Sequence, residues 1–195
     1  MERRNQLLSA AARVYAHYGY RGSTTRRIAD AAGVNEVTIF RQFGSKDALI
    51  HEAIATCGGG PPIPGLPSTP VDPLAELSAW CKEFGQQLVA NRSLIRRCMS
   101  EREEHPQLSS VSNSGATRAA TILRAYLLRL RELGMAESEV DVRAATSMLI
   151  GALFANAMGR DVNPEVFPDT TDSAAELYAT LLLRAMGVTE PSPTT

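Results

Sequence analysis

The sequence predicts an all-α protein, with a small N-terminal helical bundle and a larger C-terminal one. Apolar residues recur at spacings of three and four along most of the chain, and no segment alternates apolar and polar residues as a half-buried strand would. A Gly/Pro-rich stretch then divides the helical segments into two groups. The 195 residues are 44% hydrophobic and carry a net charge of −1, enough for a buried core without disulfide or metal staples and incompatible with global disorder.

In the first segment Leu7, Leu8, Ala11, Ala12, Val14, Tyr15 and Tyr18 make one apolar stripe, and Gly19 is expected to stop that helix. Ser23, Thr24 and Thr25 offer hydroxyl N-caps to a short helix whose Ile28, Ala29 and Ala32 point inward, with Gly33 ending it. Asn35 caps a third helix running through Gln42, with Val34 and Ile39 buried. Gly44 and Ser45 break the chain, and Ser45 caps a fourth helix carrying Ala48, Leu49, Glu52 and Ala53.

Residues 57–73 contain four Gly and six Pro, so no helix survives there and a partly extended linker is expected. Longer helices follow near 73–90, 92–104, 109–133, 139–159 and 172–186, with Pro106, Gly134, Pro164 and Pro168 between them. The expected domains are a helix-turn-helix unit over 1–56, a linker over 57–72, and a body over 73–195 for effector binding and dimerisation.

The near-neutral total hides an asymmetry. Residues 1–56 hold eight Arg and Lys against five Asp and Glu, while the rest holds twelve against sixteen. A basic head on an acidic body fits a polyanionic partner. Cys57, Cys81 and Cys98 form no paired framework, which favours reduced thiols and a cytoplasmic setting. The N-terminus lacks a signal-peptide core, and the apolar run Met148–Ala155 is too short to cross a bilayer, so no membrane role is expected.

Residues 24–43, TTRRIADAAGVNEVTIFRQF, have the form of two short helices joined by a Gly turn, a helix-turn-helix. Small Ala29 and Ala32 let the helices cross closely, and Gly33 permits the turn's positive φ. Burying Val34, Ile39 and Phe43 leaves Asn35, Glu36, Val37, Thr38, Arg41 and Gln42 on or near the outer face, where a helix can enter a DNA major groove. Two surface helices of an ordinary bundle would show a similar pattern.

The segment Gly19–Leu49 resembles the N-terminal DNA-binding domain of the TetR family of bacterial transcription regulators. Gly19-Tyr20, Thr24-Thr25-Arg26, Ile28-Ala29, Ala32-Gly33-Val34, Thr38-Ile39-Phe40, Phe43 and Ser45-Lys46-Asp47-Ala48-Leu49 carry the match, and the resemblance covers roughly residues 3–55. It implies that Thr25 and Thr38 bond phosphates, that Lys46 is a phosphate contact, and that Arg26 meets a base or phosphate. Asn35, Glu36, Val37, Arg41 and Gln42 become readers or backbone contacts. Val37 suits a thymine methyl and Gln42 an adenine. Phe40 stands where the family usually has Tyr, which removes a phenolic phosphate bond, and Arg27 and Arg41 are the expected substitutes.

The resemblance also implies a homodimer on a palindromic operator in double-stranded DNA, with a four-helix interface and a body pocket for a small apolar effector. Small residues in the last two long helices (Ala144, Ala145, Gly151, Ala152, Ala155, Ala157, Ala174, Ala175 and Ala179) suit either a dimer seam or an internal core. For the pocket, Trp80, Phe84, Leu88, Met99, Tyr126, Met148 and Phe154 are candidate apolar walls, with Asn156 as a polar contact. Residues 101–105 read as a solvated helix end rather than a metal site. No catalytic motif, phosphate loop, metal or cofactor pattern is present in the sequence. The expected function is an effector-released repressor, with contacts of the first and fourth helices to residues near 92–104 transmitting the change. A DNA binder without an effector, or a helical adaptor or enzyme, are the alternatives.

Overall fold

Helices account for all regular secondary structure among the described residues of the computed structural model, which are 2–57, 63, 65–106, 114–137, 139–168 and 170–188. The long helices are α1 (Glu2–Gly22), α2 (Thr25–Ala32), α3 (Glu36–Phe43), α4 (Lys46–Cys57), α5 (Pro73–Ala90), α6 (Arg92–Ser100), α7 (Ser114–Glu132), α8 (Val142–Gly159) and α9 (Thr171–Ala185), with a 3-10 turn at Pro164–Val166. The expected helix over 109–133 is described from Ser114 onward, and its first residues lie outside the described ones. Residues 58–62 and 64 of the expected linker also lie outside them, while Ile63 and Pro70 are buried.

Two compact units emerge, Met1–Pro62 with Ala90–Gly115, and Ile63–Val89 with Ala116–Thr195. This division departs from the expected domains. Helix α6 joins the head because it inserts Leu94 and Cys98 into the same apolar cluster as Leu7, Ala11, Tyr15, Ile28, Ile39, Leu49, Ile50 and Ile54. The boundary signal at 57–73 marks a break in helix, and the chain later returns to the head.

Within the head, Gly19 interrupts α1 as expected, and one short helical turn follows it to Gly22. Gly19 adopts φ 69° and ψ −177°, which kinks the helix before its last turn. The expected helix near 92–104 closes at Ser100, and residues 101–104 form a turn. Cys81 and Cys98 are buried free thiols, and burial pushes them up to about 12 and about 11 respectively, the behaviour of packing groups.

In the second unit, α5 turns Leu77, Trp80, Cys81, Phe84 and Leu88 inward. From α7, Ala119, Leu123, Tyr126, Leu127 and Leu130 are buried at the same spacing. Tyr126 donates to Glu76 Oε2 at 2.6 Å, and Lys82 pairs with Asp172 at 2.6 Å. Helices α8 and α9 pack on each other. The small residues divide between two faces. Ala145, Ala157, Ala174, Ala175 and Ala179 are buried, whereas Ala144, Gly151 and Ala155 are exposed and Ala152 is half-exposed.

Helix α8 corrects the membrane reasoning based on Met148–Ala155. Its 18 residues, with mean hydropathy 1.2, are long and apolar enough by composition to cross a bilayer. A core helix passes the same test, and α8 buries Val142, Leu149, Leu153 and Ala157.

Candidate nucleic-acid interface

Local chemistry sets the frame of α2 and α3. Thr24 is the N-cap of α2, its hydroxyl accepting Arg27 N–H at 3.2 Å. Gly33 ends α2 in the left-handed region at φ 65°, and the next N–H, from Val34, returns to Ala29 O at 3.0 Å. Asn35 caps α3 through Oδ1, which accepts Val37 N–H at 2.9 Å. Ser45 likewise caps α4, accepting Ala48 N–H at 3.1 Å.

Ile39 is fully buried beneath α3, and Val34 and Phe43 are half-buried beside it. The opposite side is open, with Val37 69% and Phe40 50% exposed and Arg41 exposed alongside them. Arg26 and Arg41 form no hydrogen bond or ion pair among the described residues, so both guanidiniums are free for an anion or a base edge.

Other expected contacts are already engaged. Thr25 donates to Glu36 Oε1 at 2.5 Å. Arg27 lies over the Tyr18 ring, 4.1 Å from its centroid, and donates to Gly22 O at 2.5 Å. Asn35 uses its side-chain oxygen in the cap and keeps only its amide donors. Gln42 is half-buried and its side-chain oxygen is enclosed without a partner, so bidentate pairing with adenine requires the amide to turn outward. Thr38 is half-buried near the start of α3, and its N–H returns to Asn35 O.

Lys46 opens α4 with a half-buried side chain. Its ammonium donates to Tyr20 O at 2.5 Å and lies 4.1 Å from the Tyr20 ring centroid. Burial lowers its pKa, against the opposing pull of Asp47 and Glu101. Tyr20 in turn donates its hydroxyl to Asp47, and burial, reinforced by that carboxylate, pushes the phenol up to about 12.

Arg4, absent from the sequence expectations, braces this surface. It meets Glu52 with both carboxylate oxygens at 2.7 Å, covers the Phe43 ring at 4.3 Å, and donates to Gln42 O at 3.4 Å. One side chain therefore joins α1, α3 and α4. Only an i, i+4 or i, i+3 pattern is visible from sequence, and a pair 48 positions apart gives no such signal.

The pocket candidates do not form one group. Trp80, Phe84, Leu88, Tyr126 and Asn156 are buried and Phe154 is half-buried in the second unit. Met148 instead stands 71% exposed on α8, and Met99 is 57% exposed on α6 of the head. The two methionines follow the helical spacing expected of walls, but their sides of the helices face outward.

Taken together, the first unit is a helix-turn-helix head with the outer face of its second helix open. Residues 7–53 match the sequence profile of the family described as bacterial regulatory proteins, tetR family. The likeness to that family lies in the head of this chain. Relatives to which it is similar include the transcriptional repressor KstR2 of Rhodococcus jostii, 40% identical over 52 residues, 27% of this chain and 26% of that protein. Another is the repressor AcnR of Corynebacterium glutamicum, 41% identical over 46 residues, 24% of each chain. The chain thus spans about a quarter of the length of the curated relatives it matches.

Likeness of fold extends further. The fatty acid degradation regulator FadR of Bacillus halodurans superposes with TM-score 0.71 at 22% identity, covering 94% of this chain and 95% of that one. FadR of Bacillus subtilis in complex with stearoyl-CoA gives TM-score 0.69 at 20% identity, with 91% and 96% covered.

Proposed function

We propose that this chain is a sequence-specific DNA-binding transcriptional regulator, a homodimeric repressor that leaves a palindromic operator when a small-molecule effector binds its body. The observation that carries the reading is the open outer face of α3, with Val37, Phe40 and Arg41 exposed and Arg26 unpaired beside it. Arg26 and Arg41 supply base or phosphate contacts, Thr25, Thr38, Asn35 and Lys46 bond the backbone, and Arg27 braces the turn. Val37 and Phe40 give apolar contact. Gln42 and Glu36 act as base readers once released from their present positions.

The dimer forms through α8 and α9. Their outer faces expose Met148, Leu177 and Leu181 at 71%, 50% and 63%, and a groove of about 270 Å³ lined by Ala144, Met148, Ala152, Tyr178 and Leu181 runs between them. Two copies of this surface make an isologous seam, and a two-fold pair of heads matches a palindrome. The effector occupies the second unit, where Trp80, Phe84 and Tyr126 supply apolar walls. It acts only by binding the DNA-incompetent state more tightly than the competent one. The likeness to a stearoyl-CoA complex makes a long acyl thioester the first ligand to try. The cytoplasm is the setting in which such a regulator works.

Binding-site selection from a random duplex pool tests this reading. Enrichment of an inverted repeat is expected, with log K falling linearly against log salt. Lys46→Ala weakens binding equally on every sequence, whereas Arg26→Ala and Gln42→Ala change preference at particular bases. No enrichment at low salt overturns the reading.

A further inference from the structure

Tyr20 sits between the two ends of an unusual connection. The kink at Gly19 turns the Tyr20 N–H toward α6, where both Glu101 oxygens accept it, at 3.1 and 3.0 Å. On the other side of the same residue, Lys46 donates to Tyr20 O and covers its ring. One residue, through its N–H and its carbonyl, thus links the end of α6 to the first residue of α4.

The surroundings fix Glu101 in place. Arg97, one turn earlier on α6, reaches Glu101 Oε1 at 3.9 Å and donates to Ala16 O at 3.5 Å and His17 O at 3.3 Å. The His105 ring lies 4.1 Å from the Tyr20 ring, and Arg21 pairs with Glu104 at 3.7 Å. Any side chain at position 19 would force the Glu101 carboxylate to shift. A Cβ there would lie 2.2 Å from Glu101 Oε1. Glu101 is only 19% exposed, so its carboxylate faces the kink and little solvent.

We infer that Glu101 is a positioning residue for DNA binding, holding Tyr20 so that the Lys46 ammonium points outward from the start of α4. This rests on the reading of Lys46 as a phosphate contact. An ammonium has three donors, so one bond to Tyr20 O orients it and leaves two for a phosphate. When Glu101 releases Tyr20, the carbonyl and ring that anchor Lys46 shift together, and the ammonium samples the rotamers of a free lysine. The acidic residue therefore favours polyanion binding despite its charge. Simple electrostatics predicts the opposite sign, and that difference makes the inference testable.

The test titrates the full-length protein with a fluorescein-labelled random-sequence duplex at several salt concentrations, because a phosphate contact requires no known operator. Lys46→Ala is expected to weaken binding about tenfold and reduce the log–log salt slope by about one. Glu101→Asp keeps the charge but loses reach, and is expected to weaken binding about fivefold, as Glu101→Ala does. Glu101→Gln keeps an acceptor for the Tyr20 N–H and stays within about twofold of the parent. In the Lys46→Ala background, Glu101→Ala costs nothing further.

Circular dichroism and mass in solution confirm folding. If Glu101→Ala fails to fold, the Asp and Gln pair carries the comparison. Parent-like binding by Glu101→Asp, tighter binding by both uncharged variants, or a Glu101→Ala loss that adds in full to that of Lys46→Ala overturns the positioning role. Unchanged binding by Lys46→Ala overturns the phosphate contact beneath it, a separate result read from a separate variant.

Discussion

The Thr25 hydroxyl donates to Glu36 Oε1 at 2.5 Å, tying the first residue of α2 to the first residue of α3. A hydroxyl has one proton, so while Thr25 serves Glu36 it cannot donate to a phosphate. Glu36→Ala frees that donor and removes an anion from the exposed side of the head. Affinity for random-sequence DNA at low salt should rise about fivefold, the scale of one exposed charge interaction. Fluorescence anisotropy measures this. A fall on random-sequence DNA would show that the Thr25–Glu36 bond withholds no phosphate donor.

Two glycines in the head separate strain from collision. Gly33 has φ 65° and open space where a Cβ would go, so Gly33→Ala carries only the left-handed penalty of about 1–2 kcal/mol. Gly19 has φ 69° and the Glu101 carboxylate in the way. Gly19→Ala should therefore lower the urea midpoint more than Gly33→Ala. Equal losses would mean that the carboxylate moves aside freely.

Leu181 tests the proposed seam. It is 63% exposed beside Met148 and Tyr178. Leu181→Glu places a carboxylate in the middle of that apolar surface and should convert the protein from dimer to monomer in sedimentation experiments, with the helix content by circular dichroism unchanged. Leu133→Glu, at a residue 43% exposed outside the groove, serves as the control and should leave the dimer intact.

Acid should unload the start of α8. Asp141 is its N-cap, accepting N–H bonds from Arg143 at 2.8 Å and Ala144 at 3.2 Å, and these bonds hold its carboxyl below the ordinary 3.8. A lowered folded-state pKa means that its contribution is complete at neutral pH and is lost as pH falls below 3.8 through the folded value. The difference in urea midpoint between the parent and Asp141→Ala should stay constant from neutral pH to weak acid and close in stronger acid. A difference that persists there would place the cap's effect elsewhere than in the charge.

Caps and turns were legible because their causes are local. Thr24, Gly33, Asn35 and Ser45 each act within a few residues of themselves, and each stands where the spacing of hydroxyls, amides and glycines placed it. Contact of the first helix with residues near 92–104 was expected, and α6 makes it, but the residues that carry it were not legible. Leu94 and Cys98 are ordinary inward residues of an amphipathic helix, and nothing near them names the apolar cluster they fill. The same holds for Arg4 and Glu101, whose partners lie 48 and 81 positions away. Outer-face residues of α3 were identifiable by period. Whether their polar atoms are free was not, since Thr25, Arg27 and Gln42 are engaged or enclosed by neighbours from other turns. Met99 and Met148 mark a further limit, because periodicity finds apolar stripes without saying which surface covers them.

The brace at Arg4 has a practical side. This guanidinium, near the start of the chain, holds the far end of the helix that faces outward from the head. A fused peptide or purification handle that unwinds the opening turn of α1 would loosen the grip on Gln42 and Phe43 while the spectroscopic helix content hardly changed. Preparations differing only in such handles would then disagree about which base pairs are preferred, and would do so without any sign of misfolding.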